Sequence, residues 1–170
     1  MKMGRTTDLR RSIKARFLPF MLEKGFKVDL RDMPTFMGSR KITNDRVYVC
    51  DIQWEKYGRP RFVLNFGSCG PHGVICHGNE IDPHDVTASS VSSAGRLTAR
   101  PGPQLSCWFR QDRTLLRRVI SWSALRNPDE VVAELITRFG EVEEYWSRGL
   151  VGRHLRIQPD CKWSKDRSAP

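Results

Sequence analysis

The stretches RVYVCDIQW (residues 46–54) and RFVLNFG (residues 61–67) decide the fold. In the first, Tyr48, Cys50, Ile52 and Trp54 alternate with Val47, Val49, Asp51 and Gln53. In the second, Phe62, Leu64 and Phe66 alternate with Arg61, Val63 and Asn65. Successive side chains of a strand point to opposite faces, so a period of two reads as two strands. Lys56-Tyr-Gly-Arg-Pro60 between them is turn chemistry, which predicts an antiparallel hairpin. Facing residues must share a face, and one register does this well: Trp54 opposite Phe62, Ile52 opposite Leu64 and Cys50 opposite Phe66. It also sets Glu55 against Arg61 and Asp51 against Asn65. One face then belongs to the core, while the other carries a polar row.

Outward from this hairpin, the apolar spacing changes from two to four. Leu9, Ile13, Phe17 and Met21 share one face of a helix beginning near Asp8. Pro19 is expected to kink that helix and Gly25 to end it before a β-like run, Phe26 to Leu30. At the other end, Asn127-Pro-Asp-Glu130 combines an N-cap, a proline at the first helical position and acids in the first turn. The stripe Val131, Val132, Leu135, Ile136, Phe139, Val142, Tyr145 and Trp146 follows, ending near Gly149, with Gly140 as a weak point. Its aromatics read as core packed on the sheet rather than as a stacking platform. Leu105 to Arg110 alternates as a further strand, and residues 112–123 suggest a short helix. The predicted fold is α+β, an antiparallel sheet with the N-terminal and C-terminal helices packed on one face. Residues 1–150 form one domain containing a long irregular loop, 68–104, and residues 151–170 form a basic tail.

A chain of 170 residues suits one domain, and its 39% apolar and 28% charged composition is globular. No apolar run approaches the roughly 20 residues of a membrane helix, and the N-terminus lacks a secretory apolar stretch, so no membrane partner and a cytoplasmic location are expected. Five cysteines then read as reduced thiols. The net charge of +10 resides in the ends, because residues 32–147 are balanced. This describes a solvated helix face and a basic tail; nucleic-acid binding through basic termini is the alternative.

Two groups of residues could carry function. The loop CGPHGVICH offers Cys69, His72, Cys76 and His77, with His84 beyond. Zinc, the one cofactor such a set would hold, favours two short-spaced ligand pairs. Cys69 and His72 make an acceptable pair, but Cys76 and His77 are neighbours that point apart in an extended chain. A thiol enzyme on the same loop would need a base held within reach of a cysteine. The segment is therefore read as a loop containing soft side chains, with a metal-dependent or thiol enzyme as the alternative. The second group is the polar row, Asp51, Gln53, Arg61 and Asn65, joined by Arg110 from the third strand. It is either a solvated sheet face or a binding surface, and Walker, GxGxxG, HExxH and GxSxG signatures are lacking.

DIQWEKYGRPRFVLNFG, followed by GRL (95–97), WFRQD (108–112) and VVAELITRFGEVEEYW, resembles bacterial proteins of the domain-of-unknown-function 4304 family, over about residues 12–146. That resemblance implies an α+β domain with an antiparallel sheet and flanking helices, and implies no reaction or site residues. The expectation is a non-enzymatic domain that binds a protein or small-molecule ligand through the polar sheet face or the long loop.

Overall fold

The structure, a computed structural model, describes residues 6–29, 36–102, 107–112, 125–158 and 164–166. Its helices are α1 (Thr7–Ser12), a π-helical turn (Ile13–Phe17), α2 (Leu18–Glu23) and α3 (Pro128–Arg148). The strands are β1 (Lys27–Val28), β2 (Phe36–Ile42), β3 (Val47–Trp54), β4 (Arg61–Cys69), β5 (Val74–Cys76) and β6 (Asn79–Ile81). They continue with β7 (Gly95–Leu97), β8 (Phe109–Arg110), β9 (Leu155–Ile157) and β10 (Ser164–Asp166). The main sheet is seven-stranded, in the order β1-β2-β3-β4-β7-β9 with β8 on the end of β4, and every pair in it is antiparallel.

β3 and β4 pair in the expected register, with Trp54 opposite Phe62, Ile52 opposite Leu64, Cys50 opposite Phe66 and Asp51 opposite Asn65. The apolar set of that register is buried: Ile52 is 1% and Leu64 0% exposed. Both helical segments cover this face. Leu9, Ile13, Phe17 and Met21 join Val131, Val132, Leu135, Phe139 and Val142 in one core with the sheet residues. Ser12 donates to Asp129 at 2.6 Å near the start of α3, and Lys24 donates to Glu143 at 2.8 Å near its end. The N-terminal helical run and α3 therefore lie side by side in the same direction.

Pro19 acts differently from a simple kink. A proline inside a helix withholds one N–H and crowds the carbonyl four residues back. Here the turn just before it widens to the π form, with the Leu18 N–H reaching the Ile13 carbonyl, and the apolar face continues through it. Gly25, at φ +84°, ends the helix as expected. α3 begins with Asn127 accepting from the Asp129 N–H, runs unbroken through Gly140 and stops at Gly149.

Several expectations require correction. The segment 68–104 is not one irregular loop: β4 runs on to Cys69, β5 and β6 form a hairpin, and β7 joins the main sheet. Nor are residues 151–170 simply a tail, since β9 edges the main sheet and β10 pairs with β5. Only Phe109–Arg110 of the anticipated 105–110 strand is assigned as strand, and residues 103–106 lie outside the described residues. Residues 113–123 of the helix anticipated at 112–123, and the basic residues within 1–5 and most of 159–170, also lie outside them, while Asp112 forms an isolated antiparallel bridge to Leu125. Among the described residues, no helix is long and apolar enough to cross a membrane.

Candidate functional site

The second sheet face is divided. Toward one end, Val47, Val49 and Cys69 are covered by Val74, Val86, Ala88, Val91 and Ala94, forming a smaller apolar cluster. Toward the other end lies a transverse polar row in which registers place Gly38, Asp51, Asn65, Arg96 and Arg156 side by side on successive strands. Residues 82–94 pass above this boundary and roof the row. The result is a pocket of about 440 Å³ with Asp51, Gln53, Asn65 and Arg96 in its lining, Arg40 and Asp29 at one side, and Thr87 and Ser89 in the roof.

The roof is fixed by named contacts. Serine and threonine hydroxyls close its turns: the Thr87 N–H donates to Ser90 Oγ at 2.9 Å, and Ser93 Oγ donates to the Ser68 carbonyl at 2.8 Å. The hydroxyls of the serine-rich stretch thus bond both within the crossing chain and to the sheet beneath it. The Ala88 N–H donates to Asp51 Oδ2 at 2.7 Å, tying roof to floor. Gly67 lets the roof settle closely, because a Cβ there would stand 2.3 Å from Val91 Cγ2.

On the floor, Asn65 Nδ2 donates to Gln53 Oε1 at 3.0 Å. Arg96 donates from Nε to Asn65 Oδ1 at 2.9 Å and from Nη2 to Gln53 Oε1 at 3.4 Å. The guanidinium is thus oriented by two neutral amides. Among the described residues it has no acidic ion-pair partner. Burial lowers the Arg96 pKa, and neighbouring Arg156 lowers it further. Arg40 and Asp29 form an ion pair at 3.6 Å beside this network, and Arg40 Nε has no hydrogen-bond partner among the described residues.

Asp51 has the opposite problem. Burial raises its pKa from the ordinary aspartate value; the Ala88 hydrogen bond and Arg40 pull it down, and Asp29 pushes it up. A carboxyl whose folded-state pKa is raised binds its proton more tightly when folded. Stability therefore falls as pH rises from the unfolded carboxylate pKa through the raised value, and levels off above it. Asp51→Asn keeps an oxygen for the Ala88 N–H and removes that charge. Urea unfolding across pH should show a flatter profile for this variant, with neutral-pH stability equal to or above that of the parent; an unchanged profile would contradict the assignment.

Of the five sheet residues anticipated from the sequence, Asp51, Gln53 and Asn65 meet in this pocket. Arg61 and Arg110 do not line it: they face each other across β4 and β8, and Arg110 pairs with Asp112 at 2.9 Å. Arg61 stands four residues before Asn65, about 13 Å along an extended strand. Arg96 was missed because its Gly-Arg-Leu segment has no pattern of its own; only the β4–β7 register brings it beside Asn65.

The soft residues are dispersed. Cys69 ends β4 and is fully buried in the smaller cluster, while His72 is exposed in the turn before β5. Cys76 and His77 serve the β5–β6 hairpin, whose two-residue turn places His77 at φ 51° and Gly78 at φ 79°. Among the described residues no group of three or more His, Cys, Asp or Glu is arranged to hold a metal ion. No protein-family model matches the chain, and neither the curated proteins nor the solved structures give a match.

Proposed function

We propose that this chain is a binding domain for a small polar molecule bearing a carboxylate, held in the roofed pocket on the second sheet face. The observation that carries this reading is Arg96. It is fixed on the pocket floor by Asn65 and Gln53, both neutral, so its charge is positioned without being neutralised. A half-buried guanidinium forms its strongest pairings with a planar carboxylate, through charge-assisted and often bidentate hydrogen bonds. The surrounding carboxylates, amides and hydroxyls are groups that orient a ligand by hydrogen bonding, and the volume suits a small molecule.

The test is calorimetric titration with small mono- and dicarboxylates and with inorganic phosphate, alongside thermal unfolding. A carboxylate at 100 times its dissociation constant should stabilise the fold by about 2.7 kcal/mol. Arg96→Gln should weaken that binding by roughly tenfold or more, as loss of a hydrogen bond to a charged group costs about 1.5–3 kcal/mol. Equal binding by Arg96→Gln, or binding of none of the probes, would refute the proposal.

A further inference from the structure

The two ends of the pocket carry opposite unbalanced charges that do not meet each other. Arg96 stands on β7 and Asp51 on β3, with β4 between them, so their backbones are separated by two strand spacings, roughly 9–10 Å. Asn65 fills the interval, and together with Gln53 it holds Arg96 in place. Asp51 spends Oδ2 on the Ala88 N–H, while Oδ1 receives no hydrogen bond among the described residues. Oδ1 faces a space created by Gly38: a Cβ at that residue would lie 3.1 Å from Oδ1 and 3.7 Å from the Asp29 Cβ. A glycine thus opens an acidic lobe between two aspartates on one side of the pocket, opposite the basic side. Arg40 ion-pairs with Asp29 rather than with Asp51, which among the described residues has no ion-pair partner within 4.0 Å.

From this arrangement we infer that the ligand is dipolar, with an ammonium-type group seated at Asp51 above Gly38 and a carboxylate on Arg96. The inference rests on the carboxylate-binding reading above and adds the second recognition element. A dipolar ligand would neutralise both unbalanced groups at once, whereas a simple carboxylate would leave Asp51 desolvated and unpaired. The cost that burial imposes on ionised Asp51 fits a residue kept for binding rather than for stability.

Calorimetric titration with glycine, 3-aminopropanoate, 4-aminobutanoate and 6-aminohexanoate, each beside the amine-free carboxylate of equal length and the corresponding alkylamine, tests this directly. The best dipolar probe should bind at least tenfold more tightly than its carboxylate counterpart. Asp51→Asn, which retains the roof hydrogen bond, should abolish that preference for the dipolar probe over its simple carboxylate counterpart. Gly38→Ala, which fills the lobe without removing a charge, should do the same. Both variants are checked for a parental unfolding midpoint or better, and if Asp51→Asn fails this check, Gly38→Ala carries the test. Equal binding of dipolar and simple carboxylates, or a preference that survives both substitutions, overturns the dipolar inference alone. If no carboxylate of either kind binds, the reading of the pocket falls with it.

Discussion

Phe139→Ala should destabilise the fold by about 3–5 kcal/mol, the range for removing a fully buried phenylalanine ring. Phe139 is 0% exposed and stands in an aromatic cluster, with ring centroids 6.2 Å from Phe17, 5.5 Å from Phe20, 6.2 Å from Phe26 and 6.1 Å from Trp146. All four partners meet it edge-on, at interplanar angles of 71°, 89°, 82° and 78°, an orientation that brings a ring edge to an aromatic face. The ring links the N-terminal helical run, the residue that leads into β1, and the C-terminal half of α3. Truncation would leave a cavity among rigid rings that cannot collapse into it. For a chain of this size, the melting temperature should fall by roughly 6–20 °C, measurable by calorimetry, with a matching shift in urea midpoint. A loss below about 1 kcal/mol would mean that this cluster is not the centre of the core.

The same ring shows why the core was legible in the sequence. Phe139 lies on a helical stripe with a capped start and a glycine stop, and the partner helix carries its own four-residue repeat. Each element announced its inward face without knowledge of the other. The β3–β4 hairpin was equally plain, because each of its strands is long enough to display a full alternation. β2 was not: FMGSRKI mixes apolar, small and charged residues on both of its faces, since one face meets core while Gly38 and Arg40 belong to the pocket. β7 and β9 are three residues each, too short for periodicity to appear, and exist because a neighbouring strand already offers a ladder. The site was therefore half visible. Asp51, Gln53 and Asn65 could be read from strands that declared themselves; Arg96, Gly38 and the roof required long-range pairings that no local pattern encodes. The cysteines and histidines drew attention by chemical type, yet the main chain uses His77 to turn a hairpin and Cys69 to fill an apolar cluster.

Gly67 gives the sharpest means of separating the pocket from the core that supports it. Its missing side chain is the contact on which the roof rests, and an alanine Cβ would fall 2.3 Å from Val91 Cγ2, well inside van der Waals distance. The methyl has no open direction on that face, because the Ser93 carbonyl and the Ala94 Cα lie within 3.6 Å of it. Val91, 1% exposed and β-branched, has little rotamer freedom with which to yield. Either the roof lifts or β4 bends, and overpacking of this kind costs about 1–3 kcal/mol. Lifting the roof would also stretch the Ala88–Asp51 hydrogen bond and open the pocket, so Gly67→Ala should lose both stability and carboxylate binding. Val91→Ala in the same chain removes the colliding methyls and should restore much of both. The double variant should then be more stable than the sum of the single losses predicts, the coupling expected where one residue presses on the other. Urea unfolding of the four proteins in that cycle measures the coupling, and titration of a bound carboxylate reports the pocket separately. Strict additivity would show that Val91 does not press on Gly67 and that the roof lies elsewhere.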